Sequence, residues 1–356
     1  MVEFPLGLVA PGFVNAHAHL ELGGYQGRLV GDSMVAWIQS LIAVRGEVSP
    51  AVYAREFGRG VERSLGSGTT TVGDIDSSGV CAEKARASGA RFVCFREVLD
   101  AGDPTRAPTA LRPVQRGLGK FSLVREGLSP HAPYTTSLEL LRGCARLRAR
   151  RALPLAVHWA ETREEREWIE AGQGPFKALL PPAAQPLGRS ALEVLDELGL
   201  LGPFALLIHG NDPRREELLR IRKCGASVVH CPGTHRYFDR EPFPLKLYRD
   251  MGIPIALGTD SLASNEDLDM GRELELARQA FPDLEPAELF RWATEGGARA
   301  LGLAGKVGRL APGYAADFCV HGIEPENARE ACEGLCAPAR TQAVFVAGRL
   351  VQGVGA

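Results

Sequence analysis

The sequence predicts an α/β fold, a (β/α)8 barrel of the TIM type that carries a small β appendage. Short apolar runs alternate with amphipathic stretches along most of the 356 residues. The runs are hydrophobic throughout instead of at every second position, which is typical of strands covered on both faces. A titratable residue stands at the end of each run. Together these observations indicate parallel strands whose polar ends meet at one site.

The apolar runs have the length and composition of buried strands. Each has Val, Ile, Leu or Phe near its centre, and stretches between them, such as MVAWIQSLIAV and RREELLRIRKCG, have a helical pattern. Several of these stretches close on Gly after a basic residue, which is a helix C-terminal signal. In chain order the runs are FVNAHAH, TTTVGDID, RFVCFREV, VREGLSPH, LPLAVHWA, FALLIHGN, GASVVHCP and IPIALGTD.

The residues at the ends of the runs favour a barrel over an open, doubly wound sheet. A barrel brings all strand ends to one face around one centre, whereas an open sheet spreads them along a line. No G-x-G-x-x-G follows the first run to support the open sheet. Six of the eight histidines are at run ends, which indicates a functional site. The end residues are His17, His19, Asp74, Asp76, Arg96, Glu97, His131, His158, His209, His230 and Asp260.

The rest of the chain predicts a helical segment and then the appendage. Residues 267–303 have a helical pattern, and two later stretches, KVGRLAPGYAADFCVHG and TQAVFVAGRLVQG, have strand patterns with Gly and Pro turns. We therefore place the barrel at residues 11–303, and the appendage at residues 1–10 together with 304–356.

Composition excludes several classes of partner. Apolar residues make up 45% of the chain, charged residues 24%, and the net charge is -2. No basic excess is present to neutralise a nucleic-acid backbone. No apolar stretch approaches the roughly 20 residues of a membrane helix, and the first residues lack the features of a signal peptide. We expect a cytoplasmic protein that binds neither nucleic acid nor membrane.

The cysteines predict neither a disulfide framework nor a zinc site. Eight cysteines are scattered along the chain, far below the density of a disulfide scaffold. Cys332 and Cys336 are better explained as neighbours on one helix face than as half of a zinc site, because no second pair follows. The expectation is free, mostly buried thiols in a reducing compartment.

Four run-end residues form a candidate metal site. His17 and His19 project from the same face of the first strand, because alternate strand residues point the same way. His158 offers a third nitrogen and Asp260 a carboxylate. Such a set suits Zn²⁺ or Fe²⁺ with one position left for water, whose pKa falls towards roughly 7. We expect one divalent metal.

Hydrolysis also needs groups that move protons. Glu161 follows His158 by three residues, in VHWAET, and can act over the metal as general acid and base. His209 can hold the attacking water, and Asp260 can accept the proton of that water while touching the metal.

Six blocks in order resemble the amidohydrolase superfamily, in particular its mononuclear aminohydrolase branch. They are PGFVNAHAHLE, SPHAPYTTS, VHWAET, LIHGN, VVHCP and LGTDSLASN. The resemblance covers nearly the whole chain and implies ligand roles for His17, His19, His158 and Asp260. It also implies that Glu161 shuttles protons, that His209 orients water and that His131 binds substrate. Binuclear branches use a lysine where this chain has SPHAP, so one metal is expected.

The resemblance implies a hydrolytic deaminase that releases ammonia from an amino-substituted aromatic heterocycle. The first choice of substrate is a 6-aminopurine nucleoside of the aminodeoxyfutalosine type, which belongs to menaquinone synthesis. Alternatives are S-adenosylhomocysteine, methylthioadenosine or guanine deamination, a chlorotriazine-type hydrolysis, and an inactive barrel used as an interaction protein. His131, His158, Glu161 and His230 are expected at the small-molecule substrate, although His230 could equally cap its strand.

Other polar residues also stand near the strand ends. Ser261, Ser264 and Asn265 are expected to set the loop that aims Asp260, and Asp74 and Asp76 to be structural. The role of Glu97 is open. Trp37 and Arg45 could reach the substrate, but core and surface roles are more common for such residues.

The short segment before Pro11 bears on the appendage. Members of this superfamily usually have a longer segment there, which pairs with the C-terminal strands. We expect either a reduced appendage or a start inside a longer reading frame. Unpaired strand edges in residues 304–356 would follow, with a homodimer as one way to cover them.

Overall fold

The computed structural model describes residues 7–119, 121–338 and 340–353. Within these residues, eight parallel strands form a nearly closed barrel in chain order, β2 to β9, and four antiparallel strands form a second sheet in the order β1-β10-β11-β12. The predicted (β/α)8 barrel with a β appendage is confirmed. The strands are β1 (Leu8–Pro11), β2 (Phe13–Ala18), β3 (Thr69–Asp76), β4 (Arg91–Val98), β5 (Val124–Pro130), β6 (Leu155–Trp159), β7 (Ala205–His209), β8 (Ser227–His230), β9 (Ile255–Leu257), β10 (Phe318–His321), β11 (Thr341–Val346) and β12 (Arg349–Gly353).

Helices follow the barrel strands. Four short helices, which start at residues 81, 107, 163 and 232, begin soon after strands and were not distinguished in the sequence pattern. None of the described helices is long and apolar enough to cross a bilayer. The helices are α1 (Met34–Arg45), α2 (Pro50–Gly66), α3 (Cys81–Ala87), α4 (Ala107–Gln115), α5 (Leu138–Arg151), α6 (Arg163–Ala171), α7 (Ala191–Glu197), α8 (Arg215–Cys224), α9 (Pro232–Tyr237), α10 (Leu245–Asp250), α11 (Met270–Ala280), α12 (Pro286–Arg291), α13 (Gly297–Ala300) and α14 (Ala328–Leu335).

The barrel strands are apolar throughout because each has a packed layer on both sides. Ile75, Phe95 and Ile208 belong to one buried cluster that fills the barrel and also takes in Leu301. Residues on the opposite strand faces, such as Val157, pack instead against the surrounding helices. Burial on both faces leaves polar groups room only at the strand ends, where the candidate site lies.

Strand β2 and the segment after β9 close the barrel. The amides of Thr259 and Asp260 donate to the carbonyl of His17 at 3.0 and 3.1 Å. The side chain of Asn15 donates to the Thr259 hydroxyl at 2.8 Å. Gly258 lies so close to His17 that a Cβ atom there would be 2.8 Å from the His17 carbonyl oxygen. The closing contact therefore fixes two candidate ligands, His17 and Asp260, relative to each other.

The appendage joins the start and the end of the described chain. Strand β1 pairs with β10 from Leu8↔His321 to Pro11↔Phe318. Asp317 accepts two hydrogen bonds from Arg91 of β4, at 2.8 and 3.1 Å, which fastens the appendage to the barrel. Helix α14, which follows the N-cap Asn327, is the helix expected around Cys332, and it ends just before Cys336. Residues 1–6, 339 and 354–356 of the predicted appendage lie outside the described residues, and the domain boundaries stay a prediction.

The expectation of free thiols throughout is wrong for one pair. Cys81 and Cys94 form a disulfide, with their Cα atoms 6.3 Å apart. Cys94 faces outward from β4 into the buried cluster that also holds Cys81, the first residue of α3. Packing of a helix start on a strand thus brings the two sulfurs together. Cys332 lies in α14 and Cys336 just after its end, and both are free.

Candidate metal and proton-transfer site

The candidate ligands converge at the C-terminal end of the barrel. His17 lies on β2 and His19 just beyond it, His158 on β6, and Asp260 follows β9. The four residues are buried, with relative exposures of 0, 8, 6 and 8%. His19 and Asp260 are 241 positions apart along the chain. The amide of His19 nevertheless donates a hydrogen bond of 3.3 Å to the carbonyl of Asp260.

Three imidazoles present nitrogen atoms to one another. One ring nitrogen each of His17, His19 and His158 lies within 4.8 Å of the others. The Nδ1 of His158 is 2.7 Å from the carbonyl of His131, which can only accept, so Nδ1 carries the proton and Nε2 a lone pair. That Nε2 lies 3.3 Å from Nε2 of His19. Two nitrogen lone pairs facing each other need a cation or a proton between them.

Asp260 supplies the carboxylate of the group. Its Oδ1 lies 3.6 Å from Nε2 of His17, and its Oδ2 accepts a hydrogen bond of 3.1 Å from Thr234. Burial alone raises the pKa of Asp260, but the interaction with His17 and the neighbouring imidazoles outweigh burial and hold this pKa well below its usual range. Asp260 is therefore ionised at neutral pH.

The donor set fits a divalent metal. Both ring nitrogens of His17 and Nδ1 of His19 are buried and have no hydrogen-bond partner among the described residues. Burial is the main reason why the pKa of His19 lies well below its ordinary value, and neighbouring histidines lower it further. Burial also lowers the pKa of His158 to about 4. Neutral imidazoles with free lone pairs and an ionised carboxylate are ligands for Zn²⁺ or Fe²⁺. His17, His19, His158 and Asp260 would hold the ion.

Glu161 faces the same centre from the start of α6. Its Oε2 lies 3.6 Å from Nε2 of His209, and it precedes Thr162, the N-cap residue of that helix. Burial raises the pKa of Glu161 to about 7, although the charge of Arg240 opposes the shift. A carboxyl group with a pKa near neutrality can both donate and accept a proton, as a general acid and base must.

Arg240 is a member of the site that the sequence reasoning missed. It donates to Oε1 of Glu161 at 2.7 Å and to the Glu161 carbonyl at 2.9 Å, and its side chain is only 10% exposed. Its guanidinium also lies over the ring of Phe238, 4.8 Å from the centroid. The one available signal was an arginine in the loop that follows α9, which no periodic pattern singles out.

His209 and Asp260 have strained backbones. Their φ angles are +72° and +57°, a region that residues other than glycine seldom occupy. Such conformations cost free energy and persist where the surrounding structure enforces them. The contact that closes the barrel holds Asp260 in this conformation. The positive φ angles direct the side chains of His209 and Asp260 inward at the ends of their strands.

His131 and His230 lie in different surroundings. His131 lines a cavity over the site, and its Nδ1 is 2.6 Å from Oγ1 of Thr135. His230 stacks on Phe243 with ring centroids 4.1 Å apart and is not among the described residues that line the cavity. Burial lowers the pKa of both histidines well below the ordinary value. The expected contact of His230 with substrate stays a prediction.

The cavity has a volume of about 250 Å³ and opens at the C-terminal end of the barrel. Its wall is mostly apolar, and the site residues that line it are His19, His158, Glu161, His209 and Asp260. Helix α1 contributes a large part of that wall, and Trp37 and Arg45 line it, as does Glu97 of β4. The apolar lining residues include Leu22, Met34, Trp37, Ile38, Leu41, Leu180 and Phe238.

The remaining polar residues hold backbone in place. Asp74 accepts from the amide of Leu20, and Asp76 accepts from the amide of Gly79. Asn265 donates to the carbonyl of Thr259 at 2.8 Å, beside Asp260. Ser261 and Ser264 lie in the same loop and also line the cavity.

Comparisons with known proteins find relatives over most of the chain. The profile of the amidohydrolase family matches residues 8–351. The aminodeoxyfutalosine deaminase of Deinococcus radiodurans is 31% identical over 316 residues, covering 83% of this chain and 73% of the relative. A 5-methylthioadenosine/S-adenosylhomocysteine deaminase of Syntrophobacter fumaroxidans is 33% identical over 330 residues, covering 88% of this chain and 72% of the relative.

A solved structure has the same fold. The crystal structure of an adenosine deaminase from Xanthomonas campestris with bound zinc superposes with a TM-score of 0.81 at 24% identity. The superposition covers 98% of this chain and 81% of that chain. The barrel and the appendage are therefore shared across proteins of low sequence identity.

Proposed function

The chain belongs to the amidohydrolase family, and we propose that it is a metal-dependent hydrolytic deaminase of an amino-substituted aromatic heterocycle. As a member of this family with deaminases among its relatives, it is a hydrolase that acts on carbon–nitrogen bonds. The observation that carries the proposal is the position of Glu161, whose carboxyl lies between Arg240 and His209 at the edge of the candidate metal ligands.

The chain's own residues supply the proton transfers. Glu161, with its pKa raised by burial to about 7, donates a proton to a ring nitrogen of the substrate. It then takes the second proton of the attacking water from the new hydroxyl group and passes it to the departing amine. The first proton of that water, taken by Asp260, finally restores Glu161. Nε2 of His209 orients the attacking water, and the ionised Asp260 accepts a proton from that water. A divalent ion at His17, His19, His158 and Asp260 would lower the pKa of water and supply the nucleophile at neutral pH. Water adds to the amine-bearing carbon and ammonia leaves.

For the substrate, we propose a 6-aminopurine nucleoside of the aminodeoxyfutalosine type. Relatives named for aminodeoxyfutalosine and for methylthioadenosine or S-adenosylhomocysteine support an aminopurine nucleoside. The apolar cavity wall suits an aromatic ring with an apolar substituent. Deamination of methylthioadenosine or S-adenosylhomocysteine is the second candidate, favoured by the relative with 33% identity. An inactive barrel is disfavoured, because all the ligands and Glu161 are present.

Further features of the proposal go with this activity. It includes a single metal, Zn²⁺ or Fe²⁺, the catalytic roles of Glu161, His209 and Asp260, and contacts of His131, His158, Glu161 and His230 with the small-molecule substrate. It also includes a cytoplasmic location, a part in menaquinone synthesis, a homodimer, and a barrel at residues 11–303 with the appendage formed by 1–10 and 304–356.

Release of ammonia from a panel of aminopurines tests the proposal. The panel contains adenosine, methylthioadenosine, S-adenosylhomocysteine, aminodeoxyfutalosine and guanine, and the metal content of each sample is measured alongside. We expect turnover of at least one adenosine derivative by the wild type, and none by Glu161→Gln with its metal retained. A wild-type protein that holds metal and releases no ammonia from any compound would contradict the proposal, and an active Glu161→Gln would overturn the role of Glu161.

A further inference from the structure

Glu97 is a carboxyl group in the cavity that the proposed chemistry leaves without a task. Phe95, two residues earlier on β4, packs in the cluster inside the barrel, so Glu97 faces the same interior at its open end. Its Oε1 is buried, and neither carboxyl oxygen makes a hydrogen bond within the part of the chain that the structure describes. A buried oxygen without a partner costs free energy that a ligand with a hydrogen-bond donor would recover.

His131 stands next to Glu97 with a second acceptor. A carboxyl oxygen of Glu97 and one ring nitrogen each of His131 and His158 lie within 4.8 Å of one another. The hydroxyl of Thr135 lies 2.6 Å from Nδ1 of His131 and 3.0 Å from the carbonyl of Ala132. When Thr135 donates its one proton to that carbonyl, Nδ1 of His131 is the protonated nitrogen and donates to the hydroxyl oxygen. The other nitrogen of His131, Nε2, then carries a lone pair.

We propose that Glu97 and His131 together form a hydroxyl-binding subsite that holds the sugar of a nucleoside substrate through its 2′- and 3′-hydroxyl groups. This inference rests on the proposed function and names the part of the substrate that it recognises. The two oxygens of a carboxyl group can accept from both hydroxyls of a vicinal diol, and His131 offers a further acceptor beside them. The substrate ring that reacts would then lie against the candidate metal ligands and Glu161.

The surroundings favour a neutral donor over an anion. Glu97 and His131 can both present lone pairs to the cavity, which attract hydrogen-bond donors. The only cation among the described cavity-lining residues is Arg45 of α1, whose charge acts on Glu97 and His131 without an ion pair to either. Sugar hydroxyls satisfy both acceptors without introducing an unpaired charge into a mostly apolar cavity.

A matched pair of substrates tests the subsite. Adenosine and 2′,3′-dideoxyadenosine differ only in the two hydroxyls, and kcat/KM for each is measured with the wild type, Glu97→Gln and Glu97→Leu. We expect Glu97→Leu to lower kcat/KM for adenosine by about 10-fold or more and to leave that for dideoxyadenosine nearly unchanged, because a lost hydroxyl contact penalises only the substrate that makes it. Glu97→Gln, which keeps an acceptor oxygen, should fall between the two proteins. Glu126→Gln is the control, because the carboxylate of Glu126 is paired with Arg96 and Arg151 and does not line the cavity.

A binding measurement separates this inference from the proposed function. Calorimetry on metal-free protein compares adenosine with dideoxyadenosine, so it needs no turnover. We expect tighter binding of adenosine by the wild type, and equal binding of the two compounds by Glu97→Leu. Equal losses for both compounds in Glu97→Leu, or no nucleoside binding by the wild type, would overturn the subsite. So would two equivalents of metal in the wild type that fall to one in Glu97→Leu, since Glu97 would then be a ligand.

Discussion

Arg240 holds Glu161 at two points, donating to its carboxylate oxygen at 2.7 Å and to its main-chain carbonyl at 2.9 Å. This pair of contacts leaves the other carboxylate oxygen of Glu161 facing His209, 3.6 Å away. The arginine thereby fixes the orientation of the group that we assign to proton transfer, from a loop that lies 79 residues further along the chain.

Replacing Arg240 by Met should lower kcat by about 10 to 100-fold, because a misoriented acid and base loses most of its advantage. Arg240→Lys keeps the charge but loses the two-point contact, so its kcat should lie between those of the wild type and Arg240→Met. Metal content should stay unchanged in both. Arg236→Met, which removes an exposed arginine of α9 paired with Glu266, is the control. An Arg240→Met protein with wild-type kcat would contradict the assigned role.

Metal affinity should distinguish His19 from His131. His19→Ala removes a ligand and should weaken metal binding by at least about 100-fold, since even a residue that only orients a ligand through a hydrogen bond can contribute that much. His131→Ala should keep one equivalent of metal and raise KM, because His158 is oriented by the main-chain carbonyl of His131 and not by its ring. Metal content after dialysis, with kinetics on the same samples, tests both. Loss of metal from His131→Ala alone would reverse these assignments.

Gly258→Ala should weaken metal binding although Gly258 has no ligand atom. The added Cβ would lie 2.8 Å from both Cβ and the carbonyl oxygen of His17, so the closing contact must shift. Overpacking of this kind typically costs about 1–3 kcal/mol. Gly58→Ala in α2 is the matched control, because its Cβ would meet no atom within 4 Å. The prediction fails if Gly258→Ala binds metal as tightly as Gly58→Ala does.

His321 should make the appendage sensitive to acid. Burial lowers its pKa from the ordinary 6.5 to about 4, and it packs against Phe13 and faces Thr341. Between these two pH values the unfolded chain binds the proton and the folded chain does not. The free energy of unfolding should therefore fall as the pH drops from 6.5 to 4, by at most about 1.4 kcal/mol per pH unit from this group. Denaturant unfolding across that range should show a shallower slope for His321→Gln, and an unchanged slope would count against it.

The barrel and most of the site could be predicted because their signals are local. Each barrel strand is buried on both faces, so its run is apolar and any polar residue that ends it stands out. His17, His19, His158 and Asp260 all follow this rule, and the resemblance of the surrounding blocks assigned them in advance. The alternation between strands and helices likewise depends on neighbouring residues alone.

What the sequence did not reveal depends on contacts between distant segments. Arg240 comes from an irregular loop, and only the folded chain shows that it meets Glu161. The Cys81–Cys94 disulfide depends on how α3 packs on β4. His230 ends a strand as the other histidines do, yet it lies beside Phe243.

The central claim is that one divalent ion at His17, His19, His158 and Asp260 enables hydrolytic deamination. Its most direct test is to remove metal with a chelator, add Zn²⁺ in steps and follow ammonia release from the best aminopurine nucleoside of the panel. We predict no activity without metal, a linear rise, and a break at one equivalent. Full activity in the metal-free protein, or a rise that continues to two equivalents, would contradict the account.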